Sequence, residues 1–379
     1  MVVGILKEPA GENRVSLLPE SVQTLVKLNV QVVVEEDAGM TAFFTNSDYQ
    51  HVGATILPLE EVLQKADVIL RITCPEPDEI KLFKSGKVLI SVLNPLLNTE
   101  VVKELAAAGI TSFSMDMIPR TSRAQAMDIL SSMATVAGYK AVLTAALNLP
   151  NFFPMFMTAA GTIKPAKVLI LGAGVAGLQA IATSRKLGAQ VEVFDVRAAV
   201  KEEVMSLGAK FVEVDGARDE KSAGGYAVDQ TEDFKKKQRD KIAEHAMKAN
   251  VIICTAQIPG KRAPILVDRQ MVEQMQPGSV IVDLAASTGG NCELTQNNQT
   301  IIHDSVKIIG NSNFASEMPS DASKMYGKNV INFMKLIIGK EGELKLNFTD
   351  DIVQGTCMTY NKEISNKRVK DLVFPVQND

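Results

Sequence analysis

The chemically suggestive residues begin in the middle of the chain, at Gly172-Ala173-Gly174-Val175-Ala176-Gly177, with a carboxylate, Asp195, 23 residues after Gly172. The apolar run Val168–Leu171 precedes the glycines, a helix-like stretch Leu178–Leu187 follows them, and a second apolar run, Val191–Phe194, ends at the aspartate. This is the order strand, turn, helix, strand, acid. In such an order the first glycine allows a tight turn, the second lets a pyrophosphate approach the backbone, and the third lets helix and strand pack closely. The helix N-terminus turns unpaired N–H groups and the positive end of its dipole toward the phosphates. A dinucleotide is the ligand this chemistry suits. Asp195 would accept bonds from the adenosine ribose and repel a 2′-phosphate, which favours NAD(H) over NADP(H). Arg197, two residues on, works against that preference, because an arginine there can accept a phosphate.

A second polar set lies upstream. Arg120 precedes a helix-like stretch, about Ala124–Leu147, on which Gln125, Asp128 and Ser131 are spaced by three and share one broad face. The set follows the strand-like run Ile110–Met117, and open α/β sheets bind ligands beyond their strand ends. Helix capping explains the same residues: Ser122 as the cap with Gln125 as capping-box partner, and Asp128 as an ion-pair partner of Arg120 or Arg123. Both readings stand on the sequence.

Acid–base and metal chemistry are thinly supplied. Histidine occurs at positions 51, 245 and 303 only, and Cys74, Cys254, Cys292 and Cys357 are scattered with no C-x-x-C pair. No metal site and no disulfide framework is expected, and a reducing compartment is the simplest setting.

The elements that must position these residues alternate. Strand-like runs at Val2–Leu6, Val30–Glu35, Ala66–Ile72, Lys87–Leu93 and Ile110–Met117 are separated by helical ones at Pro19–Leu28, Leu57–Lys65 and Thr99–Ala108. A second series of strands begins at Lys167–Leu171 and continues near Gln190–Asp195, Lys210–Val214, Val251–Thr255, Ser279–Leu284 and Val306–Gly310. Val- and Ile-rich strands alternating with helices predict an α/β fold, here two Rossmann-like doubly wound parallel-sheet domains. Residues 140–312 form the nucleotide domain. Residues 1–135 form the other with 315–379, which return to it and make it discontinuous. The glycine- and charge-rich stretch 216–235 is expected to be a mobile loop over the nucleotide. At 379 residues, 46% hydrophobic, with net charge −4, the chain is expected to bind neither nucleic acid nor an anionic lipid surface. Its longest apolar stretch, Val168–Ala182, falls short of the roughly 20 residues of a spanning helix, so no membrane insertion is expected.

The segments PRTSRAQAMDILSS, LGAGVAGLQAIATSRKLGAQVEVFDVR, AGGYAVDQTEDFKKKQ and the opening GILKEPAGENRVSLLPESV resemble the NAD(H)-binding component of proton-translocating NAD(P) transhydrogenase, and the resemblance covers essentially the whole chain. The related alanine dehydrogenases share the fold. The resemblance implies that Arg120, Gln125, Asp128 and Ser131 line the nicotinamide and its ribose, that Gly225 and Tyr226 sit on a loop closing over the nucleotide, and that Val196, Arg197, Ala256 and Gln257 add contacts. It also implies Re/Si-specific activity only with partner subunits: a membrane-spanning component and an NADP(H)-binding component. A homodimer at the cytoplasmic, inner face of the membrane is a further implication. Where alanine dehydrogenases carry a catalytic histidine and aspartate, this chain has Asn94 and Ser287. Two alternatives remain open on the sequence: an amino-acid dehydrogenase of the alanine dehydrogenase type, and a non-catalytic module that senses NADH.

Overall fold

A computed structural model describes residues 1–214, 231–258 and 260–374. The chain divides into two compact units, Met1–Met133 with Ala315–Asp379, and Ala134–Phe314.

In the first unit the strands are β1 Val2–Ile5, β2 Gln31–Glu35, β3 Thr55–Leu57, β4 Val68–Leu70, β5 Val88–Ser91 and β6 Thr111–Ser114, joined late in the chain by β16 Cys357–Tyr360 and β17 Glu363–Ile364. Their order is β17-β16-β6-β5-β4-β1-β2-β3. The second unit holds a short hairpin, β7 Phe156–Thr158 and β8 Gly161–Ile163, and a seven-stranded sheet. That sheet comprises β9 Lys167–Leu171, β10 Gln190–Phe194, β11 Lys210–Phe211, β12 Val251–Cys254, β13 Val280–Asp283, β14 Gln299–His303 and β15 Val306–Gly310, in the order β11-β10-β9-β12-β13-β15-β14. Numbered within each unit, the parallel part of both sheets runs 3-2-1-4-5-6, the doubly wound order that places a ligand crevice between strands 1 and 4. The fold class is as expected with one amendment. Each sheet ends in antiparallel strands, β16 and β17 in the first unit and β14 in the second.

Period-two alternation explains the cores. Along β9, Val168 and Ile170 point to one buried cluster, Leu169 and Leu171 to another. β12 repeats this with Val251 and Ile253 against Ile252 and Cys254. Both faces of the sheet are covered, which is why its strands read as unbroken apolar runs rather than alternating ones.

Three local expectations need correction. The helix expected from Ala124 starts at Ile129 and runs to Asn148, preceded by a 3-10 stretch, Ser122–Met127. Asp128 breaks the continuity: its backbone is extended, with φ −74° and ψ 93°, as suits a residue whose carboxylate caps the next helix. The same helix, 20 residues long, is apolar and long enough to cross a membrane by length and composition, so Val168–Ala182 is not the limiting stretch. Within the second unit Ala141, Val142 and Ala145 of this helix are buried core. Gly138 lies so close to the fingerprint helix that an added Cβ would meet the Ala176 carbonyl oxygen at 2.2 Å. Finally, the expected loop 216–235 gives way by Glu232 to a helix, Glu232–Ala246, whose N-terminus is capped by the Thr231 hydroxyl. Gly225 and Tyr226 lie outside the described residues.

Candidate functional site: a dinucleotide cradle and a capped polar segment

In the second unit, β9 ends at Leu171 and the helix Val175–Lys186 begins after only three residues. Gly172 turns the chain with φ +103°, a left-handed conformation that a side chain would strain. A Cβ on Gly177 would collide with the Gly172 carbonyl oxygen at 2.0 Å, so this glycine serves helix–turn packing. Gly174 differs from both. Its φ is −77°, and a Cβ there would meet nothing within 4 Å. Neither backbone geometry nor protein packing demands a glycine at 174; space left in front of the turn is the remaining reason, and it fits a pyrophosphate. No side chain caps this helix, so the N–H groups of its first turn are presented forward.

The turn is tied to the next strand. The Gly172 amide donates to the Phe194 carbonyl at 2.8 Å and the Ala173 amide to Asp195 Oδ2 at 2.7 Å. Asp195 also accepts three bonds from Arg197, from its amide at 2.8 Å, Nε at 2.9 Å and Nη2 at 2.7 Å. Val196 packs against the core. On the far side of the crevice Thr255, just past β12, donates its hydroxyl to the Gly172 carbonyl at 2.9 Å.

Ala256 and Gln257 are held by residues that no sequence motif singles out. Asn291 brackets Ala256, accepting its amide at 3.0 Å and donating to its carbonyl at 2.9 Å, while Gln257 donates to the Leu284 carbonyl at 2.8 Å. Asn291 is itself set by Asp283, a fully buried carboxylate that accepts the amides of Ala285, Asn291 and Cys292 and the Thr295 hydroxyl. Every partner Asp283 shows is structural. The signal available in sequence is an aspartate ending an apolar strand, with an asparagine just past a Gly-Gly pair.

In the first unit, Asp128 accepts the Ser131 amide at 3.0 Å and the Ser131 hydroxyl at 2.6 Å, so two of the expected site residues form one cap. Ser122 does not cap: the 3-10 stretch has Thr121 before it and no side-chain cap. Arg123 pairs with Asp350 and Asp351, with both Asp350 contacts at 2.7 Å, and not with Asp128. The Arg123 hydrogen bonds hold the Asp350 carboxyl down at about 2. Asn329 and Asn332 both donate to the Ala126 carbonyl, at 2.9 and 3.1 Å. The backbone carrying Gln125 is thus pinned on several sides while Arg120 and Gln125 are exposed. Beside Asn94, burial raises the Asp116 carboxyl despite hydrogen bonds from Ser114 and from the Asn94 and Leu93 amides.

Comparison with known proteins sharpens what these two constructions belong to. Residues 4–137 match the alanine dehydrogenase/PNT N-terminal domain and residues 141–367 the alanine dehydrogenase/PNT C-terminal domain. An NAD(P) transhydrogenase subunit alpha of Rhodospirillum rubrum is 45% identical over 95% of this chain and 96% of its own length. Alanine dehydrogenase of Bacillus subtilis is 31% identical over 77% of this chain and 72% of its own. The crystal structure of transhydrogenase from Sinorhizobium meliloti superimposes with a TM-score of 0.88 at 41% identity, covering 96% of this chain and 100% of that one.

Proposed function

This chain belongs to the alanine dehydrogenase/PNT family, and we propose that it is the NAD(H)-binding component of a proton-translocating NAD(P) transhydrogenase, passing hydride directly between NADH and an NADP⁺ held by a partner component. The observation that carries this reading over an amino-acid dehydrogenase is the near-full-length likeness to transhydrogenase alpha subunits. The chemistry agrees with it. An amino-acid dehydrogenase needs a proton donor and acceptor to make and break an imine, and Asn94 and Ser287 offer neither where the related dehydrogenases carry theirs. Hydride passing between the C4 atoms of two nicotinamides needs no acid or base; it needs the rings held about 3–3.5 Å apart and water kept out.

The chain's own residues then divide the work. Gly174 and the amides that open the helix at Val175, Ala176 and Gly177 hold the pyrophosphate, and Asp195 takes the adenosine ribose. Val196, Arg197, Ala256 and Gln257 frame that pocket, and Gly225 and Tyr226 belong to a loop that closes on the nucleotide. Arg120, Gln125 and the Asp128–Ser131 pair orient the nicotinamide end. The partners are a membrane-spanning component and an NADP(H)-binding component, with Re/Si-specific transfer only in their company and this chain peripheral on the cytoplasmic face. A second copy of the chain is the further partner. The apolar side chains around the hairpin, Leu147, Phe152, Met155, Phe156, Met157 and Ile163, stand exposed and suit burial in a homodimer.

The test is a pair of assays on one preparation. With an NADP(H)-binding component added, the chain should reduce an NAD analogue at the expense of NADPH. With alanine and NAD⁺ alone it should do nothing. Alanine-dependent NADH formation would move the chain to the dehydrogenases, and intact NADH binding without exchange would make it a sensor. Gln125→Asn should slow exchange about tenfold or more while NADH affinity holds; equal loss of both would remove the positioning role.

A further inference from the structure

An ionised carboxylate offers about four lone-pair sites, and at Asp195 all four are filled by the chain's own donors. Oδ1 accepts the Arg197 amide and Nε at 2.8 and 2.9 Å, while Oδ2 accepts the Ala173 amide and Arg197 Nη2 at 2.7 Å each. The Asp195 side chain is nearly buried, with 6% exposure against 21% for Arg197. A ribose diol that takes two of these sites must therefore displace something. The two backbone amides are fixed, one by the glycine turn and one by the chain leaving β10. The guanidinium alone sits on a rotatable side chain.

We propose that Arg197 is an internal competitor for the ribose: it occupies the acceptors that a 2′,3′-diol needs, must swing off Asp195 when the dinucleotide binds, and then stands at the ribose edge as a cation. This rests on the reading that the second unit holds NAD(H). Its two effects run in opposite directions. Breaking the bidentate pair subtracts from the affinity for any dinucleotide, as a closed conformer does. The displaced guanidinium offsets the repulsion between Asp195 and a 2′-phosphate, so Arg197 narrows the discrimination against NADPH that the aspartate alone would impose.

The experiment is titration of the full chain with NADH and with NADPH, followed by nucleotide fluorescence, for wild type, Arg197→Ala and Arg197→Lys. Arg197→Ala should bind NADH about threefold to tenfold tighter, the range that losing one partly exposed charged pair allows. It should bind NADPH more weakly, so that the NADH/NADPH preference widens by more than about tenfold. Arg197→Lys keeps the charge but not the fork, and should tighten NADH while leaving the preference close to wild type. Wild type that fails to bind NADH would overturn the nucleotide reading together with this one. Wild type that binds, with Arg197→Ala equal or weaker toward NADH, would overturn the competitor alone.

Discussion

After their first strands the two units take different routes to the first helix, although their parallel strands run in the same order. In the second unit residues 172–174 connect β9 to its helix, and the crevice between strands 1 and 4 is bridged by a small hydroxyl, Thr255. In the first unit residues 6–18 connect β1 to the helix Pro19–Val26. Glu8 from this connection crosses to strand 4, accepting the Ile72 and Thr73 amides and the Thr73 hydroxyl. Burial raises the Glu8 carboxyl, against the pull of those amides and of Arg71. Further along, Glu12 pairs with Arg14; burial pushes Glu12 up, but the Arg14 hydrogen bonds and charge pull harder and the net shift is downward. A topology that favours ligand binding at the switch point is thus open to a phosphate in one unit and plugged by a carboxylate in the other. The strand order tells where a ligand could bind; the turn chemistry decides whether an anion can.

Filling the open crevice should have the strongest consequence. Gly174→Val places its side chain where the protein has nothing within 4 Å. The thermal midpoint should hardly move, while NADH affinity should fall about a hundredfold or more, since the pyrophosphate loses its approach to the backbone. A lowered midpoint with unchanged affinity would mean that the space serves folding and not a ligand.

Unplugging the closed crevice is the complementary change. Glu8→Ala strands two buried amides and should cost the first unit about 2–3 kcal/mol, read by urea unfolding, with NADH affinity within about twofold of wild type. Glu8→Gln keeps an acceptor and should cost less than about 1 kcal/mol. A large loss of NADH affinity in either variant would erase the contrast between the units.

These features differ in their range along the chain, and with it in how plainly the sequence displays them. The glycine cradle is local, a strand, turn, helix, strand and aspartate in succession, and spacing alone assigns each glycine its role. The segment from Arg120 to Ser131 is visible in sequence as a polar set, but its geometry is not. Its spacing of three reads as a continuous helix, whereas Asp128 spends its carboxylate on Ser131 and starts a new one. The supports of that segment come from far away: Arg123 reaches Asp350, and Ala126 is held by Asn329 and Asn332. No periodicity encodes a partner that distant in the chain. The antiparallel edge strands escape notice for a related reason. β14 and β17 are exposed or short and present no buried apolar run.

A more modest change concerns the exposed clamp on the Gln125 segment. Asp350 should titrate near 2, and Arg123→Ala should return it toward the ordinary 3.8. Because the folded value lies below the ordinary one, the clamp contributes above the ordinary carboxylate range and is lost as pH falls from about 3.8 toward about 2. Carbon-detected NMR titration of the aspartates checks this, and an Asp350 that titrates normally in the wild type would show that the clamp is not held in solution.

An open crevice that presents NADH to a second nucleotide should leave an isotopic trace. NADH deuterated at the transferred C4 position is mixed with the intact chain and an NADP⁺-binding partner component, and the NADPH formed is analysed by mass spectrometry. Direct transfer predicts that the deuterium appears in NADPH without loss to water. Deuterium washed into solvent, or NADPH formed only when an amino acid is supplied, would show that the hydride does not pass directly between the two nicotinamides.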